Sequence, residues 1–134
     1  MSSPKASVQA VLISLIGLDV SISAIVFFWP ELWFRLFHGV PYSDPEGLLR
    51  RTGAAWAGFA LFQILALRRW EREPIWLALV AGIRFSDMLT DWTYLAFAHD
   101  VTGFGRLCLA AASPLNVVAG VFFIRRCKFF LSKT

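Results

Sequence analysis

Residues 75–98 read IWLALVAGIRFSDMLTDWTYLAFA, an apolar run whose charged residues are Arg84, Asp87 and Asp91. As an α-helix it would rise about 36 Å, enough to cross a hydrocarbon layer of roughly 30 Å. Arg84, Asp87 and Asp91 are spaced i, i+3 and i+7, so they fall within about 60° of one another on the helix. Thr90 borders the stripe and Tyr94 extends it. A charge facing lipid costs several kcal/mol, even after snorkelling and water defects are counted. The stripe must therefore face a bundle interior, a water-filled cavity or another chain.

Three further apolar runs share the chain. With this one they make spans over about residues 8–29, 52–67, 75–98 and 107–123. Hydrophobic residues make up 57% of the chain and its mean hydropathy is +0.62, above the roughly 45–50% apolar content of soluble domains. Four spans at about 20 residues each consume most of the 134 residues. The expected fold is all-α: a single-domain (1–134) antiparallel four-helix bundle, integral to the membrane. The first run carries Asp19 centrally and ends in Phe27-Phe28-Trp29-Pro30 without a small-residue cleavage site. It is expected to be an uncleaved span and not a signal peptide.

Between the first two spans, Pro30 opens a segment in which Trp29, Trp33, Leu36 and Phe37 recur at helical spacing. A short interfacial helix is expected there, followed by a turn-rich loop through Gly39, Pro41, Asp44 and Gly47. In the second span, Gly53 with Ala57 and Ala54 with Gly58 form small-xxx-small pairs that let helices approach closely.

The net charge of +4 comes from basic residues at the ends of apolar runs, which argues against nucleic-acid binding. Lys5, Arg68, Arg69, Arg72, Arg125, Arg126, Lys128 and Lys133 fall on one side; Arg35, Arg50, Arg51 and Arg106 fall on the other. The positive-inside rule places both termini in the cytoplasm.

Depth brings further polar residues to the stripe. Asp19 lies about 16 Å along the first span and Arg84 about 14 Å along the third from the same side, so they meet if those helices touch. Asn116 sits at comparable depth in the fourth span, just after Pro114, whose missing N–H frees a carbonyl. Asp91 approaches the level of Arg50 and Arg51, and Arg84 with one of that pair would offset two of the three aspartate charges. Three readings follow. The charges fix helix register without doing chemistry. Alternatively Asp19, Arg84, Asp87 and Asn116 floor a ligand pocket gated by Asp91, Tyr94 and Arg51. In the third, the carboxylates line an ion or proton path.

No catalytic set accompanies them. His38 and His99 lie toward one face, so no intramembrane pair exists to hold a haem. HExxH, GxSxG, P-loop, GxGxxG and Cys/His zinc patterns are absent, and neither cofactor nor metal is expected. Cys108 and Cys127 would be about 28 Å apart on one helix, too far to pair.

The size, the span count, the Trp29-Pro30-Glu31 ending of the first span and the Arg50-Arg51-Thr52-Gly53 start of the second resemble small bacterial DoxX-like or DUF4345-like proteins. The resemblance implies a bacterial inner-membrane subunit working near quinones and respiratory enzymes. A more distant architectural likeness is to EXPERA-type four-helix proteins, which bind sterol-like ligands among membrane carboxylates. The expected function is a non-catalytic subunit or interaction partner in a larger membrane assembly. The alternative is a binder or carrier of a lipid-like or quinone-like molecule in a polar-floored pocket. Expected partners are membrane lipids, other membrane chains or a second copy, and a hydrophobic small molecule.

Overall fold

Each apolar run forms a helix, and the turn residues between runs end it. The computed structural model describes residues 4–133, so Met1 to Ser3 of the expected N-terminal segment and Thr134 lie outside the described residues. The described chain is all-helical: α1 (Pro4–Phe28), α2 (Pro30–Phe37), α3 (Leu48–Arg69), α4 (Ile75–Phe97) and α5 (Gly103–Leu131). Two of them, α1 and α5, are long and apolar enough to cross a membrane. α4 is of similar length, but Arg84, Asp87 and Asp91 interrupt its apolar run, and α3 carries Arg50, Arg51, Arg68 and Arg69.

The helices outrun the apolar segments. α3 begins four residues before the expected span, and α5 continues past Phe123 to Leu131. Arg and Lys are good helix formers, and Phe123, Cys127 and Phe130 keep facing the core as α5 extends. The segment after the first run is helical, as α2, with Pro30 in its first turn. Asp44 caps α3, its carboxylate accepting from the amides of Leu48 at 2.7 Å and Leu49 at 3.1 Å.

The long helices pair as two antiparallel hairpins. α1 packs along α3 and α4 along α5, whereas contact between α3 and α4, and between α1 and α5, is sparse. In the first hairpin, Lys5 bridges Glu71 at one end (2.7 Å), and the Ser23 hydroxyl donates to the Gly53 carbonyl at the other (2.8 Å). Gly53 allows that approach, because a Cβ there would sit 2.8 Å from Val26 Cγ1. Its expected partner face differs: Ala54 and Ala57 are exposed, and a Cβ on Gly58 would meet open space. One small residue, and not a paired motif, sets the α1–α3 distance.

The apolar core gathers at the end holding both termini of the described chain. There Val8 and Leu12 of α1 meet Ala66, Trp70, Leu77, Val80, Ala81, Phe123 and Cys127. Toward α2 this core gives way to polar side chains and open space.

Around the outside, large apolar side chains are exposed on all four long helices: Ile13 and Val20, Leu61 and Phe62, Leu79 and Leu89, Phe104 and Leu107. Exposed hydroxyls among them are internally satisfied. Ser21, Thr90 and Thr93 each donate to the carbonyl four residues earlier, at 2.7, 3.0 and 2.8 Å.

Candidate functional site

Asp19, at the midpoint of α1, is buried and accepts from two helices at once. Arg84 of α4 presents Nη2 at 2.7 Å from Asp19 Oδ2 and Nη1 at 3.5 Å from Oδ1. Gln63 of α3 donates from Nε2 to Asp19 Oδ2 at 2.6 Å and to its own Phe59 carbonyl at 2.9 Å. The Arg84 guanidinium also lies 5.7 Å from the centre of the Phe59 ring. A planar fork matches a carboxylate with two parallel bonds, so Arg suits this position better than Lys. Gln63 Oε1 and Arg84 Nε remain buried without a hydrogen-bond partner among the described residues.

From Arg84 the network runs along α4 toward α2. Asp87 Oδ2 lies 3.6 Å from Arg84 Nη1. Asn116 of α5 then serves both remaining carboxylates, its Nδ2 lying 3.2 Å from Asp87 Oδ2 and 3.5 Å from Asp91 Oδ2. Three carboxylates thus share one guanidinium and two amides, those of Gln63 and Asn116, and Asp91 forms no ion pair among the described residues.

Beside this network a cleft of about 800 Å³ opens between α1 and α5. Its walls are apolar, from Leu15, Leu18 and Ile22 on α1 to Ala112, Leu115 and Val118 on α5. Asp19, Asp87, Asp91 and Asn116 supply its polar surface. Clefts of about 300–1,000 Å³ with apolar walls and a few convergent polar groups are what small-molecule sites share. A second cavity, about 400 Å³, lies beneath α2 and the loop before α3, lined by His38, Asp44, Glu46, Thr90 and Tyr94. Trp33, Trp56, Asp91 and Leu109 line both cavities.

α2 contributes Trp33 to both cavities and is held from three sides. Trp33 stacks on Phe37 at 4.1 Å between ring centres and meets Trp56 of α3 at 5.4 Å. Thr102, which caps α5 by accepting from the Gly105 amide, donates its own amide to the Phe37 carbonyl at 2.8 Å. His38 Nδ1 lies 2.8 Å from the Asp100 carbonyl and so must donate there, which leaves Nε2 to accept from the Tyr94 hydroxyl at 2.7 Å.

Of the residues singled out in the sequence, Asp19, Arg84, Asp87, Asp91 and Asn116 are joined in one network. Tyr94 stands at the outer cavity, bonded to His38. Arg51 is not brought to them: it is exposed and forms no ion pair among the described residues. Arg50 donates instead to the Tyr42 hydroxyl at 2.9 Å. Gln63 went unseen, although it is the one strongly polar side chain between Thr52 and Arg68. No group of three or more potential metal ligands occurs among the described residues.

Comparison with known proteins returns no family model, no curated protein and no solved structure that matches this chain.

Proposed function

We propose that this chain is a four-span membrane protein that binds an amphipathic, lipid-like or quinone-like molecule in the cleft between α1 and α5. α3 and α4 cross alongside α1 and α5, charges inward and apolar residues outward. Leu79 and Leu89 face out from α4 while Arg84 is buried, and Leu61 and Phe62 face out from α3 while Gln63 is buried. The back-bonded hydroxyls of Ser21 and Thr93 fit lipid exposure, where an unsatisfied polar group costs several kcal/mol. The excess of Lys and Arg at the ends nearest both termini argues for a cytoplasmic location of those ends, as in a bacterial inner membrane.

The observation carrying the binding reading is the cleft itself, about 800 Å³ with apolar walls and Asp87, Asp91 and Asn116 at its polar edge. A tail would lie against Leu15, Leu18, Leu115 and Val118, with its head at the carboxylates. Native mass spectrometry of the protein, extracted in mild detergent from the membranes that made it, tests this. A discrete small-molecule mass on the chain or its homo-oligomer supports the cleft as a binding site.

A second reading, as a subunit of a membrane assembly or a self-associating chain, draws on the outer face of α3. Ala54, Ala57 and Gly58 leave that face flat and open, a surface another helix could approach closely. Foreign polypeptides retained at fixed stoichiometry, with no small molecule bound, would replace the binding reading with this one.

A further inference from the structure

We infer that the two cavities form one conduit, and that Asp91 at their junction selects amphiphiles whose head carries a positive charge. This inference rests on the α1–α5 cleft being a ligand site. The cavity beneath α2 and the cleft share Trp33, Trp56, Asp91 and Leu109 in their linings, and Asp91 is the charged group common to both. Charge runs one way along the route. Asp44 and Glu46 stand at the outer cavity, Asp91 at the junction, and Asp87 and Asp19 along the cleft.

Compensation along that route is uneven. Asp44 is engaged by the α3 amides, and Asp19 is matched by Arg84 and Gln63. Asp87 shares the other edge of Arg84 at 3.6 Å. Among the described residues Asp91 receives one side-chain amide contact, at 3.5 Å, and no ion pair. An ionised carboxylate has room for about four hydrogen bonds, so Asp91 and the cleft-facing side of Asp87 retain most of their acceptor capacity. A ligand ammonium is the complement, offering charge and several donors to two carboxylates already bridged by Asn116. An anionic head would meet uncompensated carboxylates, and a neutral acceptor such as a quinone carbonyl would compete with Asp87 and Asp91 for the Asn116 amide. The ammonium can come from a single-chain amine or from an aminophospholipid headgroup; both present the same chemistry.

The chain contains its own reporter. Cys108 lines the cleft but not the outer cavity, and is half-buried; Cys127 is buried at the far end in the apolar core. In nanodiscs of an uncharged galactolipid, with Cys127→Ser as background, the modification rate of Cys108 is measured with two membrane-impermeant thiosulfonates. One carries a trimethylammonium and the other a sulfonate, and each rate is normalised to that of a free thiol. A cleft lined by one sign of charge concentrates counter-ions, so the cationic reagent is expected to react about ten-fold faster or more. Asp91→Asn should bring the ratio near unity, and Asp91→Glu should restore it. If neither reagent reaches Cys108 the conduit is wrong. A ratio unmoved by Asp91→Asn overturns the selection.

Protection completes the test. Dodecylamine should shield Cys108 from the cationic reagent where dodecanol does not. Protection that appears on adding phosphatidylethanolamine to the discs assigns the ammonium to a headgroup, and protection by dodecylamine alone assigns it to a single-chain amine. Equal protection by amine and alcohol overturns the charge preference and leaves the cleft standing as a site. Protection by none of the three removes the binding reading itself.

Discussion

Arg84 Nη2 lies 2.7 Å from Asp19 Oδ2, and this contact joins the α4–α5 hairpin to the α1–α3 hairpin where helix packing between them is sparse. Both side chains are almost wholly buried, exposed by 1% and 2%. The pair sits where the apolar core ends and the cleft begins, so it clamps the two hairpins at the edge of the cleft. The charged network is also what gives the cleft its polarity.

Removing one member of this pair should cost far more than removing both. Arg84→Met strands the Asp19 carboxylate on Gln63 alone, and breaking a buried pair on one side costs roughly 3–5 kcal/mol. The double variant Asp19→Leu with Arg84→Met removes both charges. It also removes the unpartnered Arg84 Nε, so it should recover most of that loss. Thermal unfolding in one detergent compares them. Two single variants as stable as the parent would mean that the pair does not clamp the hairpins.

The α1–α3 distance should hang on one glycine. A methyl at Gly53 would stand 2.8 Å from the buried Val26, so Gly53→Ala is expected to lose about 1–3 kcal/mol by overpacking. Gly58→Ala meets open space and should instead gain about 0.5–1 kcal/mol from helix propensity. Denaturant unfolding of the two variants gives opposite signs. The same sign for both would show that α1 and α3 do not meet at Gly53.

Tyr94 should hold α2 down. Its hydroxyl donates to His38 Nε2 at 2.7 Å, at the point where α2 passes into the loop. Tyr94→Phe removes one hydrogen bond of about 0.5–1.5 kcal/mol, small against global stability but local to α2. Amide exchange at residues 31–38 should speed up several-fold with exchange in α4 unchanged. Protection of α2 equal to that of the parent would leave the Thr102 and aromatic contacts as sufficient anchors.

Much of this site was legible because a charge in an apolar helix has few places to go. Arg84, Asp87 and Asp91 share one stripe by spacing alone, and matching depth was enough to pair Arg84 with Asp19. Depth alone misassigned Arg51, because direction around the helix also matters. Arg51 precedes the buried Ala60 by nine positions, which is half a turn out of phase at about 100° per residue, so it points away from the network. The same phase test would have found Gln63, which falls on the buried face with Gly53 and Ala60. Counting charges passes over a neutral amide, although burying it makes the same demand for a partner. The cleft was legible only as a suggestion. Its width depends on how far α1 stands from α5, and no periodicity within either helix encodes that separation.

Ala112 should decide whether the cleft is a site or merely a gap. It lies on the cleft wall of α5, half-buried and near the midpoint of the walls that would hold a ligand tail. Ala112→Trp fills the cleft with apolar volume and leaves Asp19, Arg84, Asp87, Asp91 and Asn116 unsubstituted. A fold that needs the cleft only as slack should accept the indole with a stability change within about 1–3 kcal/mol, the usual range for small-to-large substitution. Binding of an amphiphile should fall at least ten-fold, since a single large side chain takes up much of the space a tail requires. The measurement is the thermal shift produced by saturating dodecylamine in parent and variant, because a ligand that binds only the folded state raises stability as its concentration exceeds Kd. A shift in the parent that vanishes in Ala112→Trp, while the unliganded midpoints stay close, locates binding in the cleft. An equal shift in both would place the amphiphile on the outer, lipid-facing surface and remove the cleft from the argument.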